Sequence, residues 1–348
     1  MKKIKDAQTQ IFIGEDVLLH IDKYLSGLSA GTGASVVVVA DKNSMQYTMP
    51  LLPFLSGFEM ISIDGSERSK NIDTAVFLWK EFERLQLDRN AVVVCVGGGV
   101  ISDIAGFAAA TYKRGIKFIN IPTTLLAMVD ASVGGKTAID LDGIKNIVGV
   151  FARPVAVFIY PPFIKTLPHK QILSGIAEII KMYAIRKRNF SIDNFDISSD
   201  DFTKHIFFAI HEKARIVSRD FKESGLRKTL NFGHTVGHAI EAFLLSQGRN
   251  ATHGECVMWG MAAELSLSVQ LLGFPQKEYE KFLSFATLHY PPLNINEQDI
   301  PTIINYMRSD KKNTNCKITP VLLRRYGCPV SITAGYESLI SVIADLIK

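Results

Sequence analysis

The sequence predicts an α/β N-terminal domain built on a mainly parallel sheet, followed by an all-α C-terminal domain. Residues 36–39 and 92–94 are unbroken valine runs, the pattern of strands buried on both faces. Between such runs lie stretches with helical spacing, as in 71–86, where Val76, Leu78, Trp79, Phe82 and Leu85 recur. After Pro161-Pro162 strand signals become sparse and long helical patterns take over. A chain of 348 residues suits two domains, expected at 1–160 and 161–348.

Taken in order, strands are expected at 9–13, 35–40, 59–63, 91–96, 117–121 and 155–160. Repetition of strand, helix and strand places helices on both faces of one sheet. In the second domain helices are expected around 171–188, 202–221, 234–245, 255–272 and 336–347, with one strand signal at 321–323. No internal repeat or low-complexity tract interrupts this order.

Composition narrows the function classes. Hydrophobic residues make up 47% of the chain, within the usual range of soluble proteins. The longest nearly uninterrupted apolar run, 91–101, is closed by Ser102 and Asp103. That falls well short of the roughly 20 residues of a membrane helix. The N-terminus has no apolar stretch before Asp6, so no signal peptide is expected and a cytoplasmic location is. Cys95, Cys256, Cys316 and Cys328 form no C-x-x-C pair, which argues against a zinc ribbon or a disulfide framework. The net charge of +5 is mild, and no Lys/Arg block is interleaved with aromatics. Neither a nucleic-acid nor a membrane partner is expected. An anionic small substrate is compatible with this balance wherever several cations converge.

Two glycine-rich turns need separating. Gly97-Gly98-Gly99 follows a buried strand and opens the helical run 100–110. Such a turn lets the backbone approach a phosphate at a helix N-terminus, although a tight βα turn alone would use the same residues. The G-x-G-x-x-G spacing is not met. Asp41, just after the strand at 35–40, is placed for a ribose hydroxyl. Gly134-Gly135-Lys136-Thr137 imitates the end of a P-loop, but Asp130 stands where that motif requires glycine, so no NTPase is expected.

The second half carries candidate metal ligands. His234 and His238 are four apart and share a helical face, and His253 follows with Gly254-Glu255. Imidazoles at this spacing can chelate zinc, but no glutamate lies between them, so the metalloprotease pattern fails. The plain alternative is a pair of helix histidines satisfied by hydrogen bonds. Glu178 and Lys181 stand three apart in an otherwise apolar helix. Such charges are costly to bury without a ligand or partner; a salt bridge on a solvated face is the other reading.

These motifs, with several more, occur in one register. They are Gly97-Gly98-Gly99-Val100-Ile101-Ser102-Asp103, Tyr112-Lys113-Arg114-Gly115, Ile121-Pro122-Thr123-Thr124-Leu125-Leu126-Ala127 and Lys145-Asn146. Val129-Asp130-Ala131-Ser132-Val133-Gly134-Gly135-Lys136-Thr137, Thr166-Leu167-Pro168 and the Glu178-to-Lys181 helix continue the series. Leu230-Asn231-Phe232-Gly233-His234-Thr235-Val236-Gly237-His238-Ala239-Ile240-Glu241 and His253-Gly254-Glu255 complete it. Together they resemble the 3-dehydroquinate synthase family of sugar phosphate cyclases, densely from about 91 to 265 and more loosely elsewhere.

The resemblance implies a Rossmann-like NAD-binding domain, a helical metal- and substrate-binding domain, a site in the cleft between them, and a homodimer. It implies zinc, or cobalt in its place, held by Glu178, His234 and His253, with His238 facing substrate. That assignment overrides the simple pairing of His234 with His238. Asp130, Lys136, Lys145, Asn146, Lys181, Lys213, Arg227, Asn231 and His238 would form the catalytic and substrate site, with Arg114 entering from the partner subunit. Asp41, Glu67, Lys70, Gly97, Gly98, Gly99, Asp103, Thr123, Thr124, Lys136, Lys145 and Thr166 would hold NAD. Lys311 or Lys312 would add a further cation.

The implied substrate, 3-deoxy-arabino-heptulosonate 7-phosphate, is an anionic sugar phosphate, which explains the converging cations. Transient oxidation by NAD acidifies a neighbouring C–H, phosphate leaves, the ketone is reduced back, and the ring opens and recloses as 3-dehydroquinate. Zinc on the hydroxyls acts as a Lewis acid. The sequence departs from the family at Ser102, Ala138, Asp140, Ile144, Tyr160 and Met182-Tyr183, none of them an implied ligand or substrate-binding charge. Rival readings are a 2-deoxy-scyllo-inosose or valiolone-type cyclase, a metal-dependent polyol dehydrogenase, and a non-catalytic NAD- or metal-binding module. Lys136, Lys145-Asn146, Lys213 and Arg227 favour the dehydroquinate pattern.

Overall fold

The valine runs become neighbouring strands, each buried along almost its whole length. In the computed structural model, residues 7, 143, 197–201, 310–317 and 348 lie outside the described chain. The first half contains β1 (Lys2–Asp6), β2 (Thr9–Ile13), α1 (Val17–Thr32), β3 (Val36–Asp41), α2 (Lys42–Thr48), β4 (Glu59–Ile63), α3 (Ile72–Arg84), β5 (Val92–Gly97), α4 (Gly99–Thr111), β6 (Lys117–Pro122), β7 (Lys136–Leu141), β8 (Ile144–Phe151) and β9 (Ala156–Ile159). The second half contains α5 (His169–Arg186), α6 (Thr203–Arg219), α7 (His234–Ser246), α8 (His253–Leu272), α9 (Gln276–His289), α10 (Ile300–Ser309), β10 (Val321–Leu323), β11 (Pro329–Ser331) and α11 (Tyr336–Ile347). Among the described residues, no helix is long and apolar enough to cross a membrane.

Contacts divide the chain into two units: Met1–Pro168 with Asp201–Lys222, and His169–Asp200 with Glu223–Lys348. This differs from a single cut after residue 160. Helix α6 groups with the first unit because its buried face meets β1 and the segment at 127–131. Lys2 Nζ lies 4.5 Å from the centroid of the Phe207 ring, and Lys213 on α6 bonds Asp130. Helical periodicity reports that a face is buried, but not against what.

The first unit is a seven-stranded sheet in the order β1-β2-β9-β6-β5-β3-β4. Only the β1–β2 pair is antiparallel. Helix α3 shows how the local code works. Asn71 caps it by accepting from Thr74 N, and Ala75, Leu78 and Phe82 share one buried face at helical spacing. They pack with Val37, Val39, Ile61, Val93, Ile101 and Ile104 into one core. The strand order changes direction at β3 and β5: β3 leads outward to β4, while β5 leads the other way to β6. In open α/β sheets, ligands bind at the carboxyl ends of strands at such a switch point.

Strands β7 and β8 form a separate antiparallel hairpin, pairing Lys136 with Phe151 and Thr137 with Val150. This hairpin disposes of the P-loop imitation, because Lys136 opens a strand rather than a helix. In the second unit α8 is buried along residues 254–268, as expected for a helix that is apolar all round. Val236, Ile240, Phe243, Leu267, Ile303, Leu339 and Ile343 share one core there.

Candidate active site

In the first unit, the carboxyl ends of β3 and β5 hold Asp41 and the glycine turn. Gly98 is the N-cap of α4, so the first amides of that helix point out of the turn. Gly97 leaves no room for a side chain, and Gly98 is tightly flanked. A Cβ on Gly97 would lie 2.4 Å from Ile101 Cγ1 and 3.3 Å from Asp41 Cβ. One on Gly98 would lie 3.2 Å from Thr124 Cγ2. Thr123 N donates to Gly97 O at 2.9 Å, tying β6 to the turn. One Asp41 oxygen accepts from Asn43 N at 3.0 Å and Gly65 N at 3.1 Å, which fixes the carboxylate at the end of β3. A shallow cavity beside it is lined by Lys42, Ile63, Asp64, Asp73 and Phe77.

A second cluster connects the hairpin to α4. Lys70 Nζ donates to Asp103 Oδ2 and to Asn146 Oδ1, each at 2.5 Å. Asp140 N donates to Lys70 O at 2.8 Å, and Asn146 N donates to Asp140 Oδ1 at 2.7 Å. Lys145 Nζ lies 3.2 Å from Glu67 Oε1. Burial opposes the Lys70 charge, but Asp103 and Glu67 outweigh it and raise its pKa. Burial pushes the Asp103 carboxyl up, with Lys70 pulling the other way. Also in this unit, Lys213 Nζ donates to Asp130 O and Oδ1 at 2.6 Å each.

The second unit gathers the metal candidates. His234 is the first residue of α7 and His253 the first of α8, while Glu178 comes from the buried middle of α5. Glu178 Oε1 lies 3.5 Å from both His234 Nε2 and His253 Nε2. The His234, His238 and His253 nitrogens all lie within 4.8 Å of one another. The opposite ring edges face the protein: His234 Nδ1 donates to Phe232 O at 3.1 Å and His253 Nδ1 to Glu241 Oε2 at 3.2 Å. Those bonds place the proton on Nδ1 and turn Nε2 inward as a ligand atom. Donors about 2.1 Å from a tetrahedral zinc sit about 3.4 Å apart, so the spacing and the N, N, O donor set fit such an ion.

The field has the right sign as well. Burial works against a charge on His253, yet Glu241 and Glu178 outweigh it and raise the imidazole pKa to about 10. The same two carboxylates would favour a cation at this point. Lys181 pairs with Glu178, both about 1% exposed. The solvated-face reading of that pair is therefore excluded.

Sequence comparison bears on the same residues. The 3-dehydroquinate synthase N-terminal model matches residues 60–174, and the C-terminal model matches 175–313. The chain belongs to the 3-dehydroquinate synthase family. The 3-dehydroquinate synthase of Parabacteroides distasonis is 36% identical over 329 residues, covering 92% of each chain. That of Clostridium acetobutylicum is 38% identical over 329 residues, covering 91% of each. Among solved structures, a 2-deoxy-scyllo-inosose synthase complexed with carbaglucose-6-phosphate, NAD+ and Co2+ superposes with a TM-score of 0.86 at 24% identity, covering 99% of both chains. At that identity the likeness speaks for the fold.

The remaining family positions are placed as follows. Arg227 is buried on a short helical turn, Leu226–Asn231, and Asn231 Nδ2 donates to Glu223 Oε1 at 2.8 Å. Lys136 and Arg114 are exposed, Arg114 with a left-handed φ of 69°. Thr166 Oγ1 donates to Phe163 O at 3.0 Å. Lys311 and Lys312 lie outside the described residues. Asp140, Glu241 and Glu264, to which the sequence assigns no site role, bond Asn146 N, the His253 ring and the amides at the start of α7.

Helices α7 and α8 meet backbone to backbone, and this contact sets the spacing of their histidines. A Cβ on Gly260 would lie 2.0 Å from Gly233 O and 2.7 Å from Gly237 N. Neither neighbour is a side chain that can swing aside. Gly260→Ala is expected to lower stability by about 3 kcal/mol, the upper range for overpacking, and to reduce metal retention with it. Urea unfolding checks the first; unchanged stability would mean that the helices separate freely.

Proposed function

We propose that the chain converts 3-deoxy-arabino-heptulosonate 7-phosphate to 3-dehydroquinate and inorganic phosphate, as a homodimer in the cytoplasm. The observation that carries this reading is the centre formed by Glu178, His234 and His253 in a chain of this family. Bound to the protein, NAD supplies and recovers a hydride, and zinc or cobalt supplies Lewis acidity at the substrate hydroxyls.

The chain's own residues bind, orient and move protons. Asp41 is set to receive ribose hydroxyls, and the α4 N-terminus to receive the cofactor's phosphates. Thr123, Thr124, Asp103, Glu67, Lys70 and Thr166 complete that part of the reading. The substrate carries a carboxylate and a phosphate, and charge-assisted bonds hold such groups most strongly. Lys136, Lys145 and Lys213 in the first unit, and Lys181 and Arg227 in the second, supply the charge. Asp130 orients Lys213, while Asn146 and Asn231 supply neutral hydrogen bonds. His238, with its ring 5.0 Å from that of His234, is assigned to the substrate or its leaving phosphate. The exposed Arg114 is assigned to the partner's site.

A substrate comparison tests the reading against the other cyclases. The protein with NAD and zinc is expected to release phosphate from 3-deoxy-arabino-heptulosonate 7-phosphate and not from glucose 6-phosphate. The reverse preference would assign it to the inosose type.

A further inference from the structure

Two helices begin at the candidate metal centre. His234 is the first residue of α7 and His253 the first of α8. A helix N-terminus carries roughly half a positive charge, the wrong sign for holding a cation. Helix α8 offsets its own start with a capping box: Glu255 Oε2 accepts from Thr252 N at 2.5 Å, and Thr252 Oγ1 accepts from Glu255 N at 3.3 Å. Helix α7 has no such device. Its N-cap is Gly233, with no side-chain cap bond and no acidic residue in the first turn.

The missing carboxylate comes from the neighbouring helix. Glu264, on α8 and fully buried, accepts from Gly233 N at 2.7 Å through Oε2. Through Oε1 it accepts from Thr235 N at 3.1 Å and from Val236 N at 3.4 Å. Its reach depends on the close glycine contact at Gly233, Gly237 and Gly260. A buried carboxylate is costly unless its charge is met, and here it is met by the amides that open the ligand-bearing helix.

We propose that Glu264 is a positioning residue for the metal centre. Its carboxylate closes the start of α7, which fixes where His234 projects, and supplies negative charge that lets a cation bind where two helices begin. The inference rests on the reading that Glu178, His234 and His253 hold that cation.

The test is Co2+ affinity of the metal-free protein, read from the visible absorption of the bound ion. Melting temperature of the metal-free form is measured alongside. Glu264→Gln keeps the shape and removes the charge. It is expected to weaken Co2+ binding about 10–100-fold, as loss of partners behind metal ligands does. Asn296→Ala serves as the reference for lost stability, because Asn296 caps a short helix with no part in the centre. Its affinity should stay within about threefold of wild type even where its melting temperature falls. Glu264→Gln affinity within that same margin would reduce Glu264 to a structural cap and overturn the proposal. Should the amide variant not fold, Glu264→Asp, one methylene short of the three amides, is expected to lose about tenfold or more. Wild-type affinity in that variant overturns the proposal equally. A wild type that binds no Co2+ sinks the metal reading itself, an outcome distinct from both.

Discussion

Replacing His234 with alanine is expected to remove the metal and abolish turnover, while His238→Ala keeps the metal and slows turnover about 10²–10⁴-fold. The two imidazoles stand four apart on one helix with ring centroids 5.0 Å apart, so helical spacing treats them alike. Their settings differ. His234 Nδ1 is held by Phe232 O, and its Nε2 faces Glu178 Oε1 at 3.5 Å. His253 repeats that arrangement with Glu241 behind it and the same Glu178 oxygen in front. Glu178, His234 and His253 would hold a metal ion by two imidazoles and one carboxylate, a donor set known from catalytic zinc sites. The family resemblance, not the ring geometry, assigns His238 to substrate, since the nitrogens of all three histidines lie within 4.8 Å of one another. Metal content after dialysis, measured beside turnover, decides the matter. Equal metal loss in both variants would restore the plain i, i+4 chelate.

Lys70→Met should be the most damaging single change in the first unit. Lys70 is 4% exposed and bonds both Asp103 and Asn146. Removing one partner of a buried pair leaves the other charge uncompensated, at a cost of about 3–5 kcal/mol. Against a total stability of about 5–15 kcal/mol that is a large fraction. The deficit should depend on pH. The folded pKa of Asp103 is already above its ordinary 3.8, and loss of the ammonium raises it further. A carboxyl with a raised folded pKa favours the fold while protonated, and that contribution is lost as pH rises through the folded value. The deficit of Lys70→Met should therefore be smaller in acid, where Asp103 is protonated, and grow as pH rises through its raised folded pKa. Urea unfolding across that range checks it, and a deficit independent of pH would assign the loss to packing. Asn146 would lose its anchor too, so KM for the sugar phosphate should rise.

What the sequence displayed, and what it hid, follows from how each element is stabilised. Strands β3 and β5 were legible because both faces are buried, so their valine runs have no polar interruption. Edge strand β1 was not, because its run of lysines reads as a solvated terminus although Ile4 is buried. The β7–β8 segment reads in the sequence as substrate- and NAD-binding motifs rather than as a hairpin. Its Asp142-Gly143 dipeptide is a hairpin signal, but the flanking β8 is exposed along most of its length and lacks clean alternation. Helices α9 and α10 have no counterpart among the helices expected from the sequence. The placement of α6 in the first unit depends on long-range contacts that composition does not encode.

The candidate site divides in the same way. His234, His238, His253 and Glu178 belong to motifs, and the structure brings them together. Glu241 and Glu264 bond the His253 ring and the backbone at the start of α7, and spacing does not reveal such partners. A usable signal existed in Glu264, a lone acid in the apolar run of α8, the same signal that marked Glu178.

Phosphate and NADH measured together in one reaction separate a cyclase from a dehydrogenase. With NAD and zinc present, each molecule of 3-deoxy-arabino-heptulosonate 7-phosphate consumed should release one phosphate and yield a carbocycle. No net NADH should accumulate, because the hydride is returned within the same turnover. Stoichiometric NADH with the phosphate left on the sugar would contradict the account and place the chain with the polyol dehydrogenases.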